Sequence, residues 1–271
     1  MPVFRTVTRS FRVALALALV GFPSLAAARQ ADGRSETFRW QGQVAPGQTV
    51  EVRGVNGPVR AEPSGSGQVE LQAIKTGRFD DPRGVRIVVV PHGDGVTVCA
   101  LYPDVEGRPN ECLPGGGGRN AVRDNDVKVE FLVKVPAGVS FTGRSVNGDV
   151  TVRDLDGRAR VDTVNGSVEL TTTGYASAKT VNGSITMHIG QATWEDALEL
   201  KTVNGSIELH VPADISADFT AKTVNGRIES DIPIAVVQMD RRSLKGTLGG
   251  GGRGLSIETV NGSIRLRTGA E

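Results

Sequence analysis

The chain has 271 residues, of which 38% are hydrophobic and 23% charged, so it is long enough and apolar enough to bury a core. Its 35 glycines and its aromatic content of 4% favour short strands and tight turns over a helical bundle. The formal net charge of +1 lacks the basic excess that nucleic-acid binding needs, so we expect no nucleic-acid partner.

Residues 1–28 have the pattern of a signal peptide. Arginines precede an apolar run at residues 13–20, and three consecutive alanines at 26–28 offer a small-residue cleavage site. The apolar run is shorter than the roughly 18 residues that a membrane span needs, and no later stretch reaches that length. We therefore predict an extracytoplasmic protein (periplasmic, surface-bound or secreted) without a transmembrane segment after signal removal. An N-terminal anchor helix is the alternative.

Residues 29–35 are polar, and we expect this start of the mature chain to be disordered. Residues 36–135 form a predicted N-terminal β region of short alternating runs separated by turn residues. The runs are residues 49–52, 68–74, 85–90, 96–101 and 127–135.

Two cysteines, Cys99 and Cys112, lie in this region. In an oxidising compartment we expect them to form one disulfide, which would stabilise the protein by about 3 kcal/mol on the chain-entropy model. The alternative is a redox pair or half of a metal site, although the sequence has no Cys-x-x-Cys motif.

Residues 136–271 contain a repeated hexapeptide, Thr-Val-Asn-Gly-Ser-Ile. It is complete at residues 180–185, 202–207 and 259–264, with near copies at 163–168 and 223–228, a looser copy at 145–150 and an outlying Val-Asn-Gly at 55–57. The repeats are spaced by about 20 residues, which predicts repeated supersecondary units continuous with the N-terminal region. The predicted structural turns are Asn147 and Gly148, Asn165 and Gly166, Asn182 and Gly183, Asn204 and Gly205, Asn225 and Gly226, and Asn261 and Gly262.

Apolar residues alternate with polar residues on both sides of each turn. The position three after the asparagine is Val or Ile in every repeat, and the position six before it is Phe, Ala or Leu. Because successive strand side chains point to opposite faces, each repeat reads as two half-buried strands that meet at Val-Asn-Gly. The step from Asn225 to Asn261 is 36 residues, so we expect an inserted surface loop near residues 233–254.

Two architectures fit this unit. In an antiparallel meander or β-roll, Asn-Gly would make a hairpin turn. In a parallel β-solenoid, stacked coils would place identical positions on one another and let asparagine and threonine side chains form hydrogen-bonded ladders. The solenoid explains why the residues themselves repeat, so we predict an all-β, parallel β-solenoid.

These motifs resemble a bacterial family of exported domains of unknown function labelled putative adhesin. The resemblance rests on the hexapeptide series, the stretch at 127–138 before it, the cysteine loop, and Gly-Thr-Leu-Gly-Gly-Gly-Gly at 246–252. It implies a β-solenoid and an adhesin-like surface role, and it brings no catalytic residues.

The sequence offers no motif for catalysis or for a cofactor, so we predict no catalytic, cofactor-binding or metal residues and no enzyme activity. One set of residues is a candidate metal site: Thr171, His188, His210 and Asp231 each lie six positions after an asparagine and would form an outward column in a solenoid. Solvated side chains that happen to align are the simpler interpretation, which leaves open whether His188, His210 and Asp231 form any site.

We therefore predict a non-enzymatic, exported β-solenoid that serves as an adhesin-like surface scaffold or binding module. Its partner would be an unknown protein or a surface polysaccharide. The alternatives are a carbohydrate-active enzyme that uses the solenoid face and an envelope signalling accessory that binds another protein.

Overall fold

The computed structural model of the protein describes residues 34–190 and 197–269. The predicted signal peptide, residues 1–28, lies outside the described residues, as do residues 29–33 of the segment predicted to be disordered. The last two residues of that segment differ from the prediction of disorder. Arg34 and Ser35 begin the first strand, where antiparallel pairing with Gly77 and Thr76 orders their backbone.

Short strands make up most of the described chain, because alternating runs are repeatedly interrupted by turn residues. The strands are β1 Arg34–Gly42, β2 Thr49–Arg53, β3 Val59–Pro63, β4 Val69–Gly77, β5 Arg86–His92, β6 Gly95–Leu101, β7 Lys128–Val135, β8 Ser140–Arg144, β9 Val150–Leu155, β10 Ala159–Asp162, β11 Val168–Thr172, β12 Ala176–Lys179, β13 Ile185–Ile189, β14 Leu198–Lys201, β15 Ile207–Val211, β16 Ala217–Asn225, β17 Ile228–Ser230, β18 Ala235–Met239, β19 Ser243–Leu248, β20 Gly254–Asn261 and β21 Ile264–Thr268. Single 3-10 turns occur at Pro82–Gly84 and Pro114–Gly116.

The strands form two sheets. Sheet A has the order β1-β4-β7-β3-β9-β11-β13-β15-β21-β17, and sheet B has the order β18-β19-β16-β20-β14-β12-β10-β8-β2-β6-β5. Each repeat is one coil, with its first strand in sheet B and its second in sheet A. Neighbouring coils pair in parallel with like positions opposite each other, as in Val168 with Ile185 and Ile185 with Ile207. The protein is thus an all-β, parallel β-solenoid, and the antiparallel meander is excluded for these coils.

The core lies between the two sheets and is lined by the apolar columns of the repeats. Six positions before the asparagine, every side chain is at most 1% exposed; these residues are Phe141, Ala159, Ala176, Leu198, Phe219 and Leu255. Three positions after it, Val150, Val168, Ile185, Ile207 and Ile264 are at most 2% exposed. Ile228, in the same column, is only partly buried against the core. Burial of these aliphatic side chains is the main stabilising contribution to the fold.

The order of the coils in space differs from their order in the chain. The asparagine bridges connect 56 to 147, 147 to 165, 165 to 182, 182 to 204 and 204 to 261, and Asn225 pairs with Asn261. The last coil of the chain, β20 and β21, therefore lies between the coil of Asn204 and the coil of Asn225. The Asn225 coil forms the end of the stack.

The inserted segment near residues 233–254 is a hairpin rather than an irregular loop. Strand β19 pairs antiparallel with β16, and β18 pairs antiparallel with β19 at the end of sheet B. The hairpin thereby extends sheet B beyond the Asn225 coil, on the side opposite to β20.

At the other end, both sheets run without interruption across the predicted boundary at residues 135 and 136. Strand β3 pairs with β7 and with β9, and β2 pairs with β6 and with β8, all in parallel. The outlying Val-Asn-Gly at 55–57 joins β2 to β3 as a coil of the same stack. No helix in residues 34–190 and 197–269 combines the length and hydropathy of a membrane span.

Candidate binding surface

The corner between the two sheets is built from the Val-Asn-Gly positions. Each asparagine Nδ2 donates a hydrogen bond to the Oδ1 of the asparagine in the preceding coil of the stack, at 2.7–2.9 Å, from Asn56 at one end to Asn225 at the other. The asparagines thus form a continuous amide ladder along the corner, which holds successive coils in register.

The threonine and the glycine of each repeat also have structural roles. The buried hydroxyls of Thr163, Thr180, Thr202, Thr259 and Thr223 each donate to the corner glycine carbonyl of the neighbouring coil at 2.8–3.0 Å. The glycines lie so close to that carbonyl that a Cβ at position 148, 166, 183, 205, 262 or 226 would be 1.9–2.2 Å from it. Hydroxyl and glycine therefore serve the stacking of coils.

The corner valines, in contrast, point to solvent. They are 37–46% exposed, and their order along the stack is Val146, Val164, Val181, Val203, Val260 and Val224. Since neighbouring strands lie about 4.8 Å apart, the valines form a straight apolar line of regular spacing, which we call the valine ridge.

A row of charged side chains of alternating sign runs beside the valine ridge on sheet B. Its ion pairs are Arg53 with Glu51 (3.0 Å), Glu51 with Arg144 (3.4 Å), Arg144 with Asp162 (3.6 Å), Asp162 with Arg160 (3.2 Å), Lys179 with Glu199 (2.5 Å), Glu199 with Lys201 (2.5 Å), Lys201 with Glu258 (3.4 Å) and Glu258 with Lys222 (3.8 Å). Hydrogen bonds from Lys179 and Lys201 lower the pKa of the Glu199 carboxyl. We call this set the ion-pair row.

The disulfide loop borders one end of the valine ridge. Cys99 and Cys112 form the predicted disulfide, with their Cα atoms 5.9 Å apart. Beyond Cys112, Gly117 accepts a hydrogen bond from Arg53 Nη1, and a cleft of about 300 Å³ remains between the loop and the corner. Arg144 lines this cleft, and its Nε donates no hydrogen bond within the described part of the chain.

Asn110 fixes the fold of this loop. Its side chain is 4% exposed, and its Nδ2 lies within hydrogen-bonding distance of the carbonyls of Tyr102, Pro103 and Ala121 at 2.8–3.1 Å. Its Oδ1 accepts from the Ala121 backbone N–H at 2.8 Å. One amide side chain therefore ties both arms of the loop together.

The β18–β19 hairpin borders the other end of the same ridge. Asp240 and Arg242 of the hairpin turn and Ser243 at the start of β19 line a groove of about 710 Å³ together with Val203, Val260 and Val224. The Thr223 backbone N–H donates to the Arg242 carbonyl at 2.9 Å, which fixes the turn against the corner. Two insertions far apart in the sequence thus flank one surface. We call the valine ridge, the ion-pair row and these two clefts together the corner face.

The column of the candidate metal site, Thr171, His188, His210 and Asp231, is not contiguous. His188 and His210 are neighbours, and their rings stack with centroids 4.2 Å apart. Arg267 of the last coil then lies opposite His210 and forms an ion pair with Asp231 at 2.6 Å. Asp231 is therefore not in the coil next to His210, because that place belongs to β21. Within the described residues, no group of three His, Cys, Asp or Glu side chains is arranged to hold a metal ion.

Burial lowers the pKa of His188, and the neighbouring His210 lowers it further because two imidazolium charges would repel each other at this distance. Glu169 and Glu208 oppose that shift by attracting a protonated ring. The histidine pair is thus more stable when His188 is neutral.

Two residues of the corner face, Glu51 and Arg53, and one residue of the disulfide loop, Asn110, did not emerge from the sequence. Glu51 and Arg53 occupy the same repeat positions, five and three before Asn56, as the charged residues of later coils, so treating residues 55–57 as a full repeat would have identified them. For Asn110, no local pattern separates a buried, loop-pinning asparagine from an exposed one.

Comparisons with known proteins found one family model and several solved structures that are similar to this chain. A family model described as Toastrack DUF4097 matches residues 63–267. A putative cell adhesion protein from Clostridium sporogenes ATCC 15579 superposes with a TM-score of 0.46 at 10% identity, over 86% of this chain and 100% of that one. A putative adhesin from Bacteroides fragilis NCTC 9343 superposes with a TM-score of 0.34 at 12% identity, over 86% and 97% of the two chains. None of the curated proteins compared with the chain matches it.

Proposed function

The chain belongs to the Toastrack DUF4097 family, and from this premise we propose that it acts outside the cytoplasm as a non-enzymatic, adhesin-like binding module whose corner face contacts a protein partner. The observation that carries the proposal is the valine ridge: aliphatic side chains kept more than one-third exposed in coil after coil, although solvent exposure of apolar surface brings no stability.

The surroundings of the ridge suit contact with a partner better than proton transfer. Along the ion-pair row the carboxylates are engaged by arginine or lysine side chains, which suits a polar rim around an apolar stripe. A saccharide face would present aromatic rings, whereas this ridge is aliphatic, so a protein partner fits better than a polysaccharide.

The disulfide supports an extracytoplasmic location. Disulfides persist in oxidising compartments, and this one closes the loop that borders the corner face. We therefore place the working protein in the periplasm, at the cell surface or in the medium.

Site-specific photocrosslinking in cells tests the proposal. A photoreactive amino acid would replace Val181 or Val203 on the ridge and, as matched controls, Thr186 or Glu208 on the outward face of sheet A. We expect adducts of one discrete mass with a protein from the ridge positions and none from the controls. Adducts from the controls alone, or from neither set, would overturn the assignment of the corner face.

The variant pair Val181→Lys with Val203→Lys should abolish the interaction while Thr151→Lys with Thr186→Lys preserves it, as measured by co-purification of the crosslinked partner. Turnover of any envelope polysaccharide by the purified protein would contradict the non-enzymatic part of the proposal.

A further inference from the structure

Every corner of the solenoid contains an Asn-Gly pair, and Asn-Gly is the dipeptide most prone to spontaneous deamidation, because glycine offers no side chain to hinder its own nitrogen. In that reaction the glycine nitrogen loses its proton and attacks the Cγ of the preceding asparagine. A C–N bond forms, the bond to the side-chain nitrogen breaks, and ammonia leaves. Water then opens the resulting succinimide to aspartate or isoaspartate, so no oxidant or reductant is needed.

Six of the seven pairs are held in a way that opposes this attack. The backbone N–H groups of Gly57, Gly148, Gly166, Gly183, Gly205 and Gly262 each donate to the asparagine carbonyl of an adjacent coil at 2.8–3.0 Å. To react, each nitrogen would have to leave that hydrogen bond and turn toward a side chain that is itself held in the amide ladder. Both movements require the coil to open locally, which costs free energy in the interior of a stack.

Asn225 and Gly226 are the exception, because their coil ends the stack. Within the described residues, the Gly226 N–H donates no hydrogen bond and Asn225 Oδ1 accepts none. Gly226 is exposed, whereas the other six corner glycines are half-buried or buried. The coil is also the least packed, since Val224 is the most exposed valine of the ridge, at 46%, and Ile228 is only partly buried.

We propose that Asn225 is a selective site of spontaneous deamidation and isoaspartate formation in the folded protein, while the other corner asparagines are protected by the stacking of coils. The product carboxylate cannot donate to Asn261 Oδ1, so the last bond of the amide ladder, now 2.8 Å long, is lost. The change loosens the coil that carries Val224 and part of the groove beside the β18–β19 hairpin.

Peptide mapping by mass spectrometry of the wild-type protein tests this proposal without a variant that risks misfolding. The folded protein and the same protein unfolded in denaturant would be incubated at mildly alkaline pH and sampled over time. The unfolded sample gives the intrinsic rate at each Asn-Gly pair. We expect the ratio of folded to unfolded rate at Asn225 to exceed that at Asn165, Asn182 and Asn204 by roughly tenfold or more.

Equal protection of Asn225, or equally fast reaction of an inner asparagine in the folded protein, would overturn the proposal. The structural consequence is measured separately by hydrogen exchange. Aged protein should show faster exchange than fresh protein in β17 and unchanged exchange in β13; faster exchange in both strands would indicate general damage and contradict a local effect.

Discussion

At the scale of single residues, contact between coils explains the recurring glycine better than backbone angle does. A hairpin turn would need glycine for positive φ. Of the corner glycines only Gly57 has one, at 124°, whereas a Cβ at any of the others from position 148 onward would collide with the glycine carbonyl of the neighbouring coil. Glycine is therefore required because two backbones approach closely.

Replacing Gly205 by alanine should accordingly destabilise the protein by about 1 to 3 kcal/mol, because the new Cβ would lie 2.0 Å from the Gly183 carbonyl oxygen and the coils would have to separate. Urea unfolding followed by circular dichroism measures the change. Gly65→Ala is the matched control, since its Cβ would have no neighbour within 4 Å and its stability should be unchanged or slightly higher. Equal stabilities of the two variants would disprove the steric explanation.

The amide ladder gives a graded prediction. Asn204 donates to Asn182 and accepts from Asn261, so Asn204→Ala should cost on the order of 1 kcal/mol of unfolding free energy. Asn225→Ala, at the end of the ladder, removes only the bond to Asn261 and should cost less. Thermal and urea unfolding of both variants would test this order. If binding to a partner were lost at an unchanged Tm in Asn204→Ala, the asparagines would have a recognition role instead.

The His188–His210 stack predicts a dependence of stability on pH. Because the pKa of His188 is lower in the folded protein than its ordinary value of 6.5, the unfolded chain takes up a proton more readily. The stabilisation is thus complete above about pH 6.5 and is lost as pH falls through the folded pKa. His188→Gln should flatten the Tm profile below that pH, whereas Thr171→Gln in the neighbouring coil should not. An unchanged slope in His188→Gln would show that other groups control it.

At the scale of elements, the disulfide loop holds its shape through a side chain as well as a covalent bond. Asn110→Ala leaves the carbonyls of Tyr102, Pro103 and Ala121 without their amide partner, which should cost about 1 to 3 kcal/mol. The loss should be local, with faster protease cleavage in the loop at an unchanged cleavage rate elsewhere. Arg123→Ala removes only an exposed ion pair with Glu106 and should leave cleavage unchanged.

At the scale of the whole molecule, the chain folds its last coil into the interior of the stack. Strand β20 has β14 on one side and β16 on the other, and β21 lies between β15 and β17. The C-terminal segment therefore pairs with two coils. The strands of the Asn225 coil pair with the last coil and not directly with the coil of Asn204. Stacked coils depend on their nearest neighbours for stability.

Truncation at residue 253 should consequently unfold more than the deleted residues. We expect the loss of hydrogen-exchange protection in β17 and weaker protection in β16 as well, because β17 loses its partner β21 and β16 loses β20 and keeps only β19. Removal of residues 34–42 deletes only the edge strand β1 and should leave exchange in β9 to β15 unchanged. Intact protection of β16 after the C-terminal truncation would contradict this account of the stack.

The sequence by itself determined the unit of this protein: two half-buried strands, a Val-Asn-Gly corner, the inward columns and the solenoid class. These features follow from alternation and period, which are local properties that can be read residue by residue. The disulfide was predictable for a different reason: the sequence has only two cysteines, so only one pairing within the chain is possible.

Only the tertiary structure decided the order of the coils. The inward columns are nearly the same in every repeat, so any coil could stack on any other. The alternating pattern therefore does not indicate which two coils will be neighbours. The choice depends on long-range contacts, such as the hairpin β18–β19 on one side of β16, which leaves the other side to β20. That choice separates Asp231 from His210, brings the disulfide loop and the hairpin to opposite ends of one valine ridge, and leaves Asn225 at the exposed end of the ladder.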